Sequence, residues 1–388
     1  MLNKFIYLDH AAATPIDDDV LAAMQPYFSD NFFNPSSPYA PAVMVRRAYE
    51  EAKHQLAIAI GGQPTEIVIT AGATESINLI INSVPGHIVT SEIEHHAILD
   101  TVKYRQGTLV KPDAKGRISP KKIEEAIRPD TQLVSIALAN HELGTIQPIR
   151  DIAAIIKKVR MDRLAGGNTT PIYLHTDASQ GAGQIELNVS RLGVDAMTLN
   201  AGKVYGPKQI GLLWFDRKLR LKPIVHGGGQ ENGLRSGTEN VAGTIGFSVA
   251  LKKAQAKRKE EAYRVTQLRN HMQKAIEKQI PDVIVSGDQK HRLPGHLHVS
   301  FAGIDAERLI FLLEAKGVLV ATGSACAANS GTRSHVLEAI GLEPKVADGS
   351  LRITLGRLSN EENCKKASDL ICEAVRLEKQ RIAKLRNK

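Results

Sequence analysis

The residue best suited to covalent chemistry is Lys203, which stands among small residues just after the apolar run 196–200. A lysine partly withdrawn from water has a lowered pKa, so its neutral amine can form a Schiff base with an aldehyde. Asp177 follows another apolar run, 172–175, and a carboxylate at a buried strand end needs a cationic or hydrogen-donating partner. Each residue also has an ordinary interpretation, a surface lysine in a turn and an aspartate that caps a helix.

A third loop, residues 71–76, offers a place for an anion. Its small and polar residues separate an apolar run ending at Thr70 from a helical pattern beginning at Ile77. A helix N-terminus presents unpaired N–H groups and the positive end of the helix dipole, and the Thr74 hydroxyl adds a donor. A capped helix after a tight turn gives the same pattern, and no Gly-Lys-Ser/Thr follows that would indicate a P-loop.

Together, the three loops meet the requirements of pyridoxal phosphate. The helix N-terminus takes the phosphate, Asp177 keeps the pyridinium nitrogen protonated, and Lys203 forms the Schiff base. A group must also stack on the ring, and His95 follows the apolar run 87–90. On its own, His95 has the ordinary interpretation of a hydrogen-bonded loop histidine.

The three cysteines of the chain fall into two classes. Cys326 lies in residues 322–331, which are small or polar, so we expect an accessible thiol on a mobile loop. Cys364 and Cys372 follow a helical pattern and are expected to be buried, the usual state of a free cysteine. No C-x-x-C pair is present, so neither a metal site nor a disulfide framework is predicted. The low, odd count and the lack of a signal-peptide pattern predict a reducing, cytoplasmic location.

These loops must be held by regular elements, and the chain alternates between two kinds. Apolar, β-branched runs predict strands, and amphipathic segments between them predict helices. This alternation predicts an α/β fold with a mainly parallel sheet, which binds ligands beyond the carboxyl ends of its strands. The predicted strands are 66–70, 87–90, 133–139, 172–175, 196–200 and 211–215, and the predicted helices include 43–60, 76–83, 119–127 and 149–159.

The composition shifts after Gly246. Residues 250–279 contain neither Gly nor Pro and predict one long exposed helix. Shorter elements follow, and Ser359 or Asn360 is placed to cap a last helix. We therefore predict a large domain over residues 15–248 and a smaller α+β domain formed by residues 1–14 and 249–388. The alternative is one continuous domain.

The composition excludes several other classes of protein. The 388 residues are 43% hydrophobic and 23% charged, values typical of a globular protein. The net charge of +9 is spread along the chain with no basic block, so direct nucleic-acid binding is not expected. No apolar run is long enough to span a bilayer, so no membrane association is expected.

From Tyr7 to the C-terminal helix, the chain resembles the cysteine desulfurases, pyridoxal-phosphate enzymes of the class-V aminotransferase family. The resemblance implies fold type I, with a seven-stranded sheet in the large domain, and the iron–sulfur-cluster and nitrogen-fixation branch. It is carried by six motifs in the family's order: Gly72-Ala73-Thr74-Glu75-Ser76, Asp177-Ala178-Ser179-Gln180, Lys203-Val204-Tyr205-Gly206-Pro207-Lys208, Gly227-Gly228-Gly229-Gln230-Glu231, Arg235-Ser236-Gly237-Thr238-Glu239-Asn240 and Gly323-Ser324-Ala325-Cys326.

The resemblance also implies a role for each matching residue. Lys203, His95 and Cys326 would be catalytic, with Cys326 the sulfur nucleophile. Substrate binding would fall to Arg352, Asn34 and Asn140. Thr238 would reach the phosphate in a partner subunit, which implies a homodimer. The implied cofactor-binding residues are Lys203, Asp177, Gln180, Ala73, Thr74, Asn140, Asn200, His95 and Thr238.

Three positions depart from the family pattern. Gly202 stands where a histidine usually precedes the lysine, His141 replaces the second asparagine of Asn-Asn-Glu, and Tyr39 replaces a histidine after Asn-Pro-Ser-Ser. Loss of one donor to a charged phosphate costs about 1.5–3 kcal/mol, so we expect weaker cofactor retention than is usual in the family.

The resemblance implies conversion of L-cysteine to L-alanine, with sulfur held as a persulfide on Cys326 for an acceptor protein. That acceptor would be an iron–sulfur scaffold or a tRNA-thiolation enzyme. Two other functions stay open: a selenocysteine lyase or another fold-type-I enzyme, and a degenerate, non-catalytic sulfur-assembly scaffold.

Overall fold

The structure is a computed structural model that describes residues 5–323 and 333–386. Its strands, numbered in chain order, are β1 (Ile6–Tyr7), β2 (Ile67–Thr70), β3 (His87–Ser91), β4 (Thr108–Val110), β5 (Thr131–Ser135), β6 (Tyr173–Asp177), β7 (Ala196–Asn200), β8 (Gly211–Phe215), β9 (Ile284–Ser286), β10 (His296–Ser300), β11 (Val318–Leu319) and β12 (Ser350–Thr354). Its helices are α1 (Asp18–Met24), α2 (Pro26–Ser29), α3 (Ala40–Ile60), α4 (Ala73–Ser83), α5 (His96–Tyr104), α6 (Pro120–Ala126), α7 (Ile149–Ala165), α8 (Val189–Leu192), α9 (Val241–Ala256), α10 (Arg258–Gln279), α11 (Ala306–Ala315), α12 (His335–Ala339), α13 (Pro344–Ala347) and α14 (Glu361–Arg386).

The central element is a seven-stranded sheet with the order β2-β8-β7-β6-β5-β3-β4. Its neighbours run parallel except at β8, which is antiparallel to both β2 and β7. The predicted mainly parallel α/β sheet is therefore confirmed. One strand is shifted toward the N-terminus: the strand predicted over 133–139 is observed over Thr131–Ser135.

Both faces of this sheet are covered, as its almost continuous apolar strands require. On β7, Met197 and Leu199 belong to the core cluster that includes α3 and α9. Ala196 belongs to a different cluster, together with Ile77 and Ile80 of α4. Alternate residues of the strand thus supply the two cores. The polar residues that follow each strand end lie at the edge of the sheet, outside both cores.

A separate apolar cluster surrounds the three-stranded sheet β12-β10-β9. It joins Ile6 and Leu8 to residues of α10, α11 and α14, and β1 pairs in parallel with β11. The N-terminal segment therefore packs against elements far along the chain. The division into domains 15–248 and 1–14 with 249–388 stays a prediction.

The long exposed helix expected over residues 250–279 is wrong in two respects. It is two helices, α9 and α10, because Lys257 (φ −91°, ψ 1°) leaves the helical conformation. It is also not exposed on every side, since Leu251 is buried in the first core and Met272 in the cluster of the smaller sheet. The break allows each helix to pack on its own core.

The C-terminal helix begins as expected. The Asn363 N–H donates to Oδ1 of Asn360 at 2.8 Å, and two glutamates occupy the first turn. The expected burial of Cys364 and Cys372 is confirmed, and burial raises the pKa of each thiol to about 11. No helix of the described residues is both long enough and apolar enough to cross a membrane.

Candidate active site

A cavity of about 330 Å³ lies at the carboxyl ends of the central strands. A cavity of this size suits a small ligand such as a cofactor. Its wall contains eight of the residues predicted for the site: Ala73, Thr74, His95, Asp177, Gln180, Asn200, Lys203 and Arg352.

Lys203 ends a short 3₁₀ turn that directly follows β7. The turn is closed by Asn200, whose Oδ1 accepts the Gly202 N–H at 2.9 Å. The Lys203 amine donates to the carbonyl oxygens of Ala11 at 2.8 Å and Ala12 at 2.7 Å. The N-terminal segment therefore holds the amine at the cavity.

Asp177 is the last residue of β6, and its Oδ1 accepts the Ser179 N–H at 3.0 Å. The Gln180 side chain on the same loop donates to the Ala11 oxygen at 3.1 Å. This turn and the one before Lys203 occur because a strand ends at the sheet edge and the residues after it bend away. This brings the carboxylate and the amide to the wall that also carries Lys203.

One end of the cavity is formed by the N-terminus of α4, which the sequence predicts to bind an anion. The helix begins at Ala73, ahead of the start that the sequence pattern indicated, so Ala73 and Thr74 lie in its first turn. First-turn N–H groups have no acceptor within their own helix. Gly72 has φ +143°, and no atom lies within 4 Å of where a Cβ would stand, so the approach to these groups is open.

His95 caps α5 and faces the same cavity. Its Nδ1 accepts the Ala97 N–H at 3.1 Å, so in the neutral ring the proton is on Nε2. Burial lowers the pKa of His95, the Asp177 carboxylate opposes this, and the Lys203 ammonium adds to it. The imidazole is therefore neutral at neutral pH, with an N–H available in the cavity.

Beneath this loop lies Glu94, a buried carboxyl that the sequence did not single out. It accepts hydrogen bonds from the Ser91 hydroxyl and from the Ala137 N–H. Burial, with a smaller contribution from the Asp177 charge, raises the pKa of Glu94 to about 8 despite these bonds. Glu94 is consequently protonated at neutral pH.

Sequence reasoning also missed a group of histidines. The His141 ring lies 5.5 Å from that of His95 and 6.4 Å from that of His335, which in turn is 4.7 Å from His96. Burial lowers the pKa of both His141 and His335, so these rings are also neutral. The only sequence signal was the His141 departure, since His335 reaches the group through the fold.

Arg352, on β12, is buried beside Asp9, and its Nη2 donates to Oδ1 at 2.8 Å. Nη1 lies 3.4 Å from the carbonyl oxygen of His141, and Nε has no hydrogen-bond partner among the described residues. A buried guanidinium with a donor unused can take a carboxylate.

Some predicted residues do not line this cavity. Asn140 is buried and turned toward backbone: its amide donates to Ile93 and its oxygen accepts from Glu142 and Leu143. Asn34 and Thr238 are exposed on loops. Cys326, and the mobile loop expected around it, lie outside the described residues.

The chain is similar to several known proteins over nearly its whole length. The profile described as Aminotransferase class-V matches residues 6–366. A "Cysteine desulfurase IscS" from Dictyoglomus turgidum is 39% identical over 95% of this chain and 94% of its own length. A solved "NIFS-LIKE PROTEIN" has a TM-score of 0.88 and 32% identity over 96% of this chain and all of its own. A structure titled "SspA in complex with cysteine" has a TM-score of 0.77 and 35% identity over 90% of this chain and 98% of its own.

Proposed function

Since the chain belongs to the class-V aminotransferase family, we propose that it is a pyridoxal-phosphate-dependent cysteine desulfurase. The observation that carries the proposal is the cavity in which Lys203, Asp177 and Arg352 meet the N-terminus of α4. Relatives named cysteine desulfurase span nearly the whole chain, and one structural neighbour is titled as a complex with cysteine.

The residues of the cavity fit the cofactor. Lys203 would carry it covalently, Asp177 would pair with its protonated ring nitrogen, and His95 would stack on the ring. Ala73 and Thr74 would bind the phosphate through first-turn N–H groups and a hydroxyl, with Asn200 Nδ2 as a further donor. Gln180, Asn140 and Thr238 complete the proposed set. When bound, pyridoxal phosphate supplies an electron sink for charge at the substrate Cα.

The chain's own residues then orient L-cysteine. Arg352 binds its carboxylate through Nε, the donor without a partner among the described residues, while Asp9 holds the guanidinium in place at Nη2. Asn34 and Asn140 are the further substrate-binding residues that we propose. The Lys203 amine removes the Cα proton and later returns a proton to carbon. The neutral His95 offers its Nε2–H as a hydrogen-bond donor within the cavity.

The residue proposed to accept the substrate sulfur is Cys326. Its thiolate attacks the substrate sulfur, the carbon–sulfur bond breaks, and the bonding electrons stay with the carbon that becomes the alanine methyl group. L-cysteine and the Cys326 thiol thus become L-alanine and a Cys326 persulfide, with no external oxidant or reductant. A protein acceptor, an iron–sulfur scaffold or a tRNA-thiolation enzyme, would take this sulfur in the cytoplasm.

Thr238 supports a homodimer, because it is exposed on a loop and does not line the cavity of its own chain. The loop is fixed at its base by Glu231, whose carboxylate accepts hydrogen bonds from Lys53, Tyr49 and the Ile69 N–H. A rigid base lets an exposed tip reach a second subunit.

The alternatives are not favoured. A plain aminotransferase needs no thiol at position 326, and a scaffold without catalysis needs no enclosed lysine beside a strand-end carboxylate. Names and titles among the relatives point to cysteine, not selenocysteine.

The test is to incubate the protein with pyridoxal phosphate and L-cysteine, then measure alanine, sulfide and the persulfide on Cys326. Cys326→Ala should abolish all three products, while the matched control Cys372→Ala, a buried thiol, should leave them near the parent level. Alanine and sulfide at the parent rate from Cys326→Ala would contradict the proposal. Faster turnover with selenocysteine would favour the lyase.

A further inference from the structure

Lys203 also borders a second, smaller cavity, of about 70 Å³. This back cavity, as we call it, lies between the central sheet and the strands β10 and β12. Its polar lining includes His10, Gln184, His296 and Thr354, and the exposed Lys257 stands at its outer rim. Ala11, whose carbonyl accepts from the Lys203 amine, lines both cavities.

Two buried histidines that line the back cavity have ring nitrogens without a partner among the described residues. His10 Nδ1 lies 2.9 Å from the carbonyl oxygen of Thr354, so Nδ1 carries the proton and Nε2 offers a lone pair. That Nε2, and both ring nitrogens of His296, have no hydrogen-bond partner among the described residues. His296 is 2% exposed and His10 7%.

Buried polar atoms are rarely left unpartnered in native proteins, and the usual partner is ordered water. A water needs about 10–15 Å³ of such space, so the back cavity has room for several. Burial lowers the pKa of His10, and it lowers that of His296 to about 3. Both rings are therefore neutral, and each can bind water without repelling the Lys203 ammonium.

We propose that the back cavity holds hydrogen-bonded waters that link the Lys203 amine to solvent at Lys257, separately from the cofactor cavity. The path runs past His10, Thr354 and His296 to Gln184. When substrate fills the cofactor cavity, these waters exchange the hydrogens of the Lys203 ammonium. This consequence rests on the proposed function, whereas the presence of the waters does not.

The first experiment is a high-resolution crystal structure of the full chain. Ordered waters should lie within hydrogen-bond distance of His10 Nε2 and of the His296 ring. His296→Leu should lose the waters next to position 296. A dry or collapsed back cavity would overturn the proposal whatever the activity of the protein.

The second experiment follows hydrogen at the alanine Cα when protiated L-cysteine is turned over in D₂O. The parent enzyme should retain almost no protium there. The waters replace the hydrogens of the Lys203 ammonium with deuterium before this group returns one to the substrate. Ala262→Leu plugs the rim of the back cavity, and retention should rise toward about one third, the limit set by three equivalent ammonium hydrogens.

The matched control is Ala275→Leu, the same change at a half-buried position of α10 outside this lining. If Ala262→Leu does not fold, His296→Leu serves in the same assay. Retention as low as in the parent enzyme would show exchange through the cofactor cavity and overturn the proposed link. If no alanine forms at all, the proposed function fails, and the crystal structure alone decides about the waters.

Discussion

The guanidinium of Arg352 and the carboxylate of Asp9 form a close pair, with Nη2 2.8 Å from Oδ1, although 343 positions separate the two residues. The arginine proposed to bind the substrate carboxylate is thus already held by a carboxylate. Asp9 fixes the guanidinium plane, and Nε remains without a partner among the described residues. We therefore propose that the substrate carboxylate binds beside Asp9 and does not displace it.

Arg352→Lys should raise the KM for L-cysteine. A lysine keeps the charge but lacks the planar array of donors that lets one guanidinium bind both Asp9 and the substrate carboxylate. Loss of one charge-assisted hydrogen bond corresponds to about 1.5–3 kcal/mol, or a KM roughly 10–100-fold higher. The KM is measured from steady-state alanine formation. Arg381→Lys, on the surface of α14, is the control and should leave the KM unchanged. An unchanged KM for Arg352→Lys would remove this arginine from the substrate site.

Glu94 should make stability depend on pH. Burial raises the pKa of Glu94 to about 8 from an ordinary value of 4.5. With the folded pKa above the unfolded one, its contribution is complete below about pH 4.5 and is lost as pH rises toward 8. Each pH unit in this window costs up to about 1.4 kcal/mol.

Glu94→Gln removes this group without changing its shape. The free energy of unfolding of the parent should therefore fall relative to Glu94→Gln between pH 5 and 8, as measured by urea denaturation at both ends of that range. Buried histidines such as His175, whose pKa is lowered to about 3, act in the opposite direction but are common to both proteins. Parallel pH profiles would mean that Glu94 is ionised in the folded state.

Gly202→His should strengthen cofactor binding. A Cβ at this position would stand 3.3 Å from Asn200 Oδ1 and 3.7 Å from Lys208 Cγ, so a side chain fits with a small adjustment. The added imidazole supplies one more donor for the phosphate, which should lower the Kd about 10–100-fold. Titration of the cofactor-free protein with pyridoxal phosphate measures it. Gly202→Ala, which adds the Cβ without the donor, should not gain affinity, and no gain for Gly202→His would contradict the expectation.

Lys53→Met should destabilise the protein strongly. The Lys53 amine lies 3.1 Å from Glu231 Oε2, and both side chains are almost fully buried. Removal of the cation leaves a buried carboxylate unpaired, which costs about 3–5 kcal/mol. Chemical denaturation should show this loss, with Lys252→Met on the exposed face of α9 as the control. The double variant Lys53→Met/Glu231→Gln should recover much of it, and equal losses in both variants would contradict the ion-pair explanation.

Much of the fold and part of the site could be predicted from the sequence. The strands before Asp177 and Lys203 were visible because buried strands are apolar runs, and the residues after them stand at the same sheet edge. The two helices of residues 241–279 were not separated, because the break at Lys257 has no Gly or Pro signal. It reflects packing on two different cores.

The sequence by itself determined the chemical groups of the site, since the types and local spacing of Lys203, Asp177 and the α4 loop follow from short-range rules. Only the tertiary structure decided their neighbours: Asp9 beside Arg352, Ala11 beside Lys203, and the Ala137 N–H beside the buried Glu94 carboxyl. The physical reason is that strand and helix patterns act over a few residues. The electrostatic environment of a buried group, by contrast, depends on the distant segments that pack against it in the folded chain.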